Sequence, residues 1–420
     1  MVDIDKWKEI INSLRKNKLR TFLTAFGVFW GIFMLVIMLG SGNGLQNGVY
    51  QNFGEMALNS AFLWTQRTTI PYKGFPRGRF YRFNNEDTQA LIDNVSEIEL
   101  IAPRLQGRGG DGANNAVRGK KTGAFTIFGD YPEWNLIDPV TILSGRFINK
   151  IDIAKKRKNI VIGTRVVDIL FESDEEPIGE FVQINGVYFK VVGTFKSKKT
   201  GEQAERENQN IYMPFTTLQK TYNYGNVVGW YSMTSRPDIP VSVIEEKVIE
   251  ILKERHSIAP DDDQAVGHAN VEKEFKKFTG LFTGIKGLIW IVGIGTLLAG
   301  VIGVSNIMLV IVKERTKEIG IQRAIGATPV NIIVQIVNEA VFLTSFAGYF
   351  GLVLGVGIVE LINYALTTSG ANAEMFKNPE VDFKVAITAL IILIISGVFA
   401  GIIPAKKAVS IKPIDALRYE

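Results

Sequence analysis

Four stretches of this chain constrain it more than anything else: Thr21 to Gly40, Gly287 to Val312, Ala340 to Val359 and Val385 to Ala405. Each is close to the ~20 residues an α-helix needs to cross the hydrocarbon of a bilayer. The second and third hold no charged residue at all. The first follows Arg15, Lys16, Lys18 and Arg20, as a secretory signal would. Its apolar run outlasts the ~7–15 residues of a signal core, and no small-residue cleavage pattern follows, so the expectation is an uncleaved helix.

Basic residues beside the runs give the expected orientation. Lys6, Lys8, Arg15, Lys16, Lys18 and Arg20 precede the first run. Lys313, Arg315, Lys317 and Arg323 fill the gap between the second and third, and Lys406, Lys407, Lys412 and Arg418 follow the fourth. The loop from Leu361 to Lys384 offers only Lys377 and Lys384. The excess of Lys and Arg on one side puts both termini and the 313–329 gap in the cytoplasm. The region from Ser41 to Gly284 then belongs on the far face. With no cysteine in 420 residues, disulfides, thiolate nucleophiles and cysteine metal sites are excluded. The net charge of +5 reads as topology, since no basic tract interleaved with aromatics points to nucleic acid.

The far-side region reads as mixed α/β. "SAFLWTQRTTI" has strand character, and "NNEDTQALIDNV" a helix with Asn84 or Asn85 as N-cap. "QGRGGDGANNAVRGKKTG" reads as a hairpin or mobile loop, and "SKKTGEQAERENQN" as a polar loop. Asn185-Gly186 between alternating apolar runs is a hairpin signal. Val241, Ile244, Val248, Ile251 and Leu252 fall on one face of a helix. From Val271 a charged, then amphipathic segment enters the second run without a proline, so one helix is expected to continue from the far-side region through the bilayer. At the N-terminus, Ile4, Trp7, Ile10, Ile11 and Leu14 share one face amid lysines, the pattern of a helix lying on the membrane surface.

Small residues four apart allow helix backbones to approach closely. They recur at Gly295, Ala299 and Gly303, at Ala347, Gly351 and Gly355, and at Gly397, Gly401 and Ala405. Packing within one chain and a seam between two chains both account for them. Glu339 and Glu360 sit at run edges, where a charge is cheap, so neither is assigned a proton-relay role.

"KERTKEIGIQRAIGATPV" separates the second and third runs. Its Lys and Arg residues would cost about 2.5–3.5 kcal/mol each at the bilayer centre, which forces the stretch into water. The i,i+3 pairs Glu314–Lys317 and Arg315–Glu318 favour a helix. Gly326 is the expected C′ stop, and Thr328-Pro329 the start of the next helix. A short helix clamped between two spans, with Ile319, Ile321 and Ile325 facing the cytoplasm beside its charges, reads as a docking surface for a soluble partner. A solvated turn is the plainer alternative.

At this point the residues carry a resemblance. "KERTKEIGIQRAIGATPVNI" resembles the stretch after the second span of MacB-type and FtsX-like ABC transporter permeases. "LRKNKLRTFLTAFGVFWGI" is similar to the family's lead into the first span, and "GIIPAKKAVSIKPIDALRYE" to its closing pattern. "FGDYPEWNLIDPVTILSGRFINKID", "NIVIGTRVVDILF", "PIGEFVQINGVYFKVVGTF" and "YMPFTTL" resemble its periplasmic region. The resemblance runs the length of the chain.

It implies an α-helical membrane bundle of four transmembrane helices with a large α/β periplasmic domain inserted between helices 1 and 2. The implied divisions are a cytoplasmic amphipathic helix over 1–20, spans over 21–41, 285–312, 330–360 and 384–405, and a periplasmic domain over 42–284 whose second subdomain is roughly 131–224. A coupling helix over 313–329, a periplasmic loop over 361–383 and a cytoplasmic tail over 406–420 complete them. The implied ATPase-docking residues are Glu314, Arg315, Thr316, Lys317, Glu318, Ile319, Gly320, Arg323, Ala324, Gly326 and Ala327. Pro404, Ala405, Pro413, Ala416, Leu417 and Arg418 would form the family's cytoplasmic end motif. The implied setting is the cell inner membrane, with both termini cytoplasmic.

MacB proper carries its ATPase ahead of the first span, whereas about twenty residues precede it here and no G-x-x-x-x-G-K-[ST] phosphate loop occurs. The resemblance is therefore to a stand-alone, non-catalytic permease, with ATP and Mg bound by a partner ATPase. A second permease copy, identical or not, is implied, and efflux with a periplasmic adaptor and an outer-membrane duct is the favoured role. Lipoprotein release or FtsX-like regulation of a periplasmic partner is the alternative. A membrane-tethered enzyme is the third reading, its one exhibit "HSIAPDDDQAVGH" with His256, Asp261, Asp262, Asp263 and His268.

Overall fold

The computed structural model describes residues 18–107, 113–368 and 376–411. The chain divides into two compact units, one of residues 1–49 with 281–420 and one of residues 50–280.

The first unit is helical. Its long elements are α1 (Lys18–Phe53), α9 (Val271–Glu314), α11 (Pro329–Thr368) and α12 (Phe383–Val409), with the short α10 (Thr316–Ala324) between α9 and α11. The four long helices each contain a stretch apolar enough to cross a membrane, with mean hydropathies of 2.0, 2.2, 1.9 and 2.7. Helix α9 runs unbroken for 44 residues, about 66 Å at 1.5 Å per residue, twice the thickness of a hydrocarbon core. Where α11 meets α12, a Cβ on Gly397 would lie 2.8 Å from the Val341 Cα, closer than side chains come. Further along α11, a Cβ on Gly351 would lie 2.5 Å from the Phe29 carbonyl oxygen of α1. These contacts replace large apolar side chains with backbone-to-backbone packing, which lipid rewards because it offers no hydrophobic drive of its own.

The second unit is the large α/β domain between the first and second spans. Its elements in order are β1 (Ser60–Thr65), β2 (Phe83–Asn84), α2 (Asn85–Asn94), β3 (Ile98–Gln106), β4 (Ala113–Arg118), β5 (Lys121–Asp130), α3 (Trp134–Ile137), β6 (Thr141–Gly145), α4 (Lys150–Ala154), β7 (Asn159–Gly163), α5 (Thr164–Leu170), β8 (Phe181–Ile184), β9 (Val187–Lys196), α6 (Gly201–Asn208), β10 (Asn210–Pro214), α7 (Phe215–Thr221), β11 (Val227–Val228), β12 (Trp230–Ser235), α8 (Val241–Arg255) and β13 (Val266–Asn270). Strands β10, β7, β9, β8, β4 and β5 pair in turn, and β10 pairs back onto β5 in parallel, closing a ring. From β5 the pairing continues through β3, β12 and β1 to β13. The ring takes strands from both sides of residue 131, so the subdomain boundary expected there falls inside a closed circuit of backbone hydrogen bonds.

Local chemistry accounts for several elements. Asn84 caps α2 with Asp87 in a reciprocal capping box. Asn185 and Gly186, both at positive φ, make the two-residue turn between β8 and β9. The glycine-rich segment yields a second hairpin, β4–β5, turning at Gly119. One expectation fails: the polar stretch after β9 folds as helix α6. Its Glu207 turns inward to accept from the Ser197 hydroxyl and to meet the Lys199 ammonium at 3.0 Å, and Lys199 also reaches Asp138 at 2.7 Å. Glu207 and Lys199 enter an internal ion cluster, while Glu202, Gln203, Glu205 and Arg206 of the same stretch stay exposed.

The rival enzyme reading relied on residues that the fold uses structurally. His256 lies 2.7 Å from the buried Asp87, which Arg255 also reaches, and Asp262 accepts from the backbone of Thr69 and Ile70 and from the Thr69 hydroxyl. Burial alone would raise the carboxyls of Asp87 and Asp262. Their hydrogen-bond donors outweigh it and hold both below the ordinary aspartate range. His268 lies on the edge strand β13 with its side chain about half exposed.

Candidate coupling site

Helix α9 stops at Glu314, and a single residue, Arg315, separates it from α10. The bend keeps its hydrogen bonds: the Arg315 N–H donates to Ile311 and the Ile319 N–H to Arg315. The Thr316 hydroxyl donates back to the carbonyls of Val312 and Lys313, satisfying groups that the end of a helix otherwise leaves open.

Two arginines anchor α10. Arg315 donates from Nη1 to the Glu339 Oε1 of α11 at 2.8 Å and from Nε to the Glu318 Oε2 at 2.9 Å. Glu339 is 4% exposed, which corrects the expectation of a cheap charge at a span edge: it lies inside the bundle, and Arg315 is what makes its burial tolerable. At the other end, Arg323 Nη1 donates to the Val409 carbonyl at 2.7 Å and to the Ile411 carbonyl, two of the acceptors left at the C-terminus of α12. Between them Ile319 packs with Val312, Ile332 and Ile336. Ile319 was expected to face the cytoplasm and is instead 7% exposed.

The exit from α10 is equally specified. Gly326 has φ +108, its N–H donates to the Arg323 carbonyl, and the Ala327 N–H donates to that of Gln322 at 2.9 Å. This pair of bonds is the Schellman termination that a glycine at C′ permits. The Asn331 N–H meets the Thr328 hydroxyl at 3.3 Å, and Pro329 opens α11.

The residues singled out in the sequence thus divide. Glu314, Lys317, Glu318, Ala324 and Gly326 are exposed, Ile319 and Gly320 are buried, and Arg315, Thr316, Arg323 and Ala327 are intermediate. Ile321 and Ile325 are exposed, Ile325 reaching 82%, and Val330 at the start of α11 is exposed as well. Glu339, Ile332, Ile336 and the α12 carbonyls were not anticipated. A lone carboxylate in an apolar run was the available signal for the first. Pro404 and Ala405 are buried in α12, while Pro413, Ala416, Leu417 and Arg418 lie outside the described residues, as do residues 1–17 of the surface helix expected over 1–20, whose last three residues belong to α1.

The small-residue positions divide too. Gly351 and Gly355 meet α1, and Gly397 and Gly401 meet α11. Among the described residues nothing lies within 4 Å of a Cβ placed on Gly295 or Gly303, and with Ala299 they lie on a face of α9 left largely uncovered.

Comparison with known proteins adds the following. Residues 21–251 match the family model described as MacB-like periplasmic core domain, and residues 290–413 the model described as FtsX-like permease C-terminal. The macrolide export ATP-binding/permease protein MacB of Psychrobacter arcticus is 28% identical over 418 residues, covering 99% of this chain and 59% of that protein. The MacB of Vibrio parahaemolyticus is 27% identical over 422 residues, covering 99% and 60%. The chain therefore spans about three-fifths of the length of these relatives. The crystal structure of the periplasmic region of MacB from Actinobacillus actinomycetemcomitans is 17% identical, with a TM-score of 0.42 over 53% of this chain and 92% of that one.

Proposed function

This chain belongs to the family of MacB-like, FtsX-like permeases, and on that premise we propose that it is the membrane subunit through which an ABC-type ATPase moves a domain on the opposite side of the membrane. The partner binds ATP and Mg and docks on α10 in the cytoplasm. Its closure tilts α10, α9 carries the displacement as a continuous helix, and the α/β unit works in the periplasm on a substrate destined for export. Both termini are cytoplasmic and the membrane is the inner one. Two copies of the permease meet along the uncovered Gly295, Ala299 and Gly303 face of α9, with an adaptor and an outer-membrane duct beyond. The chain itself does no chemistry.

One observation carries this reading: Ile321 and Ile325 stand exposed at the end of α10, which Arg315, Arg323 and Gly326 hold in place, and Val330 stands exposed at the start of α11. Burying an isoleucine is worth about 1.5–3 kcal/mol, and a surface already fixed in shape loses little entropy on docking. Ile321→Asp with Ile325→Asp is expected to abolish co-purification of an ABC ATPase with the full chain and the stimulation of its hydrolysis, while membrane insertion persists. Undiminished co-purification and hydrolysis would remove the proposal.

A further inference from the structure

Among the described residues, strand β3 is paired along one edge and largely open along the other. β12 runs beside it from Ile98 to Arg104, whereas β5 meets it only at Leu105 and Gln106. The Arg104 carbonyl accepts from the Gly229 N–H at 2.9 Å, which sets the polar backbone groups of Arg104 toward β12. Alternation along a strand turns those of Pro103 and Ile101 the opposite way. This open edge floors a cleft of about 640 Å³. Ile92 of α2, half exposed, stands on one wall, and Tyr131, Glu133 and Lys150 form the other. The Glu133 Oε1 lies 3.5 Å from the Lys150 ammonium, and its Oε2 is buried with no hydrogen-bond partner among the described residues.

We infer that the cleft takes an extended polypeptide segment of a partner protein, laid on β3 as an added strand. The floor offers backbone carbonyls and an N–H in strand geometry. A helix, whose backbone is already satisfied, has nothing to exchange with them, and an extended chain matches them atom for atom. Alternate side chains of the incoming strand go to Ile92 on one side and to Tyr131 and Glu133 on the other, where the unpartnered Oε2 accepts a donor. The edge is guarded against long pairing. Pro103 has no N–H to offer, the register with β12 breaks between Leu100 and Ile98, and Glu99, Lys150 and Arg236 line the rim. Such guards prevent sheet-to-sheet association and leave room for a short segment. The inference stands apart from the ATPase reading, since it concerns the α/β unit alone.

The full chain in lipid nanodiscs, panned with phage-displayed random short peptides, is expected to enrich sequences that bind it and bind Ile92→Glu about tenfold or more weakly. In an enriched peptide, N-methylating the alternate amides that face β3 should cost about tenfold or more, while methylating the other register leaves binding intact. Failure to enrich peptides that discriminate against Ile92→Glu overturns the proposal. So does equal loss in both methylation registers, which would mean that the cleft holds peptide, if at all, by side chains in some other conformation.

Discussion

Arg104 in the α/β unit and Arg315 in the helical unit are each held against a carboxylate that water hardly reaches, yet the two pairs are built differently. Arg104 meets Asp130 at 2.6 Å, and its guanidinium lies between the Phe128 ring at 4.0 Å and the Trp134 ring at 3.7 Å. Every direction is occupied, and the pair pins β3 to the end of β5 where the open sheet leaves the ring. Arg315 bonds both buried Glu339 and the half-exposed Glu318. A fully desolvated, sandwiched pair has one arrangement. Arg315 bonds a buried and a wet carboxylate at once, at the joint where α9 turns into α10. Burial of charge is complete in the first case and partial in the second, and each pair holds its element in place.

The largest test of that contrast is Arg104→Ala. It leaves Asp130 buried without its partner and is expected to cost the α/β unit about 3–5 kcal/mol, read by urea unfolding of the full chain followed through tryptophan fluorescence. A cost below that of an ordinary surface change would end the comparison. Glu339→Ala, by contrast, leaves Arg315 with Glu318 and some access to water. The expected loss is about 2 kcal/mol, with faster amide exchange concentrated in α10. Exchange that rises evenly through α11 and α12 would mean that the pair holds the bundle rather than the joint.

A pH titration sharpens the difference at smaller scale. Burial pushes the Asp130 carboxyl up to about 6 from an ordinary 3.8, the Arg104 charge only partly opposing it. An acid whose folded pKa lies above its unfolded one adds stability at low pH and loses it as pH rises through the folded value. The α/β unit should therefore gain about 1 kcal/mol between about pH 7 and about pH 5, and Asp130→Asn should flatten that rise. Asp87 and Asp262 act in the opposite sense and only below the ordinary aspartate range, so they do not mask it. The smallest effect belongs to Glu318→Gln. An exposed i,i+3 partner is worth about 0.3 kcal/mol, and thermal unfolding should scarcely move while Arg315 keeps its hold on Glu339. A loss as large as that from Glu339→Ala would show that the two carboxylates act as one.

What could be read before the structure is the chemistry that completes itself within a few residues. The helix N-cap at Asn84 or Asn85, the Asn185-Gly186 turn and the Gly326 stop each need only neighbours in sequence, and each appears where its residues stand, the cap falling on Asn84. The misreadings share the opposite property. Polarity suggested a loop for 197–210, but Glu207 and Lys199 face inward because Asp138 waits there. Charge spacing placed Ile319 outside, but Ile332 and Ile336 of the following helix cover it. Equal spacing made Gly295 and Gly351 look alike, and only the Phe29 carbonyl beside one of them tells the two apart.

By itself the sequence determined that four helices must leave water, that the segment between the second and third must return to it, and that a mixed α/β region lies between the first two. Those conclusions follow from transfer free energies and hydrogen-bonding rules that act residue by residue. Only the tertiary structure decided that the strands close into a ring, that Arg315 and Arg323 face inward as anchors, and that one edge of β3 is left open. Each of these depends on which distant groups share a boundary from which water is removed, and local pattern carries no record of that.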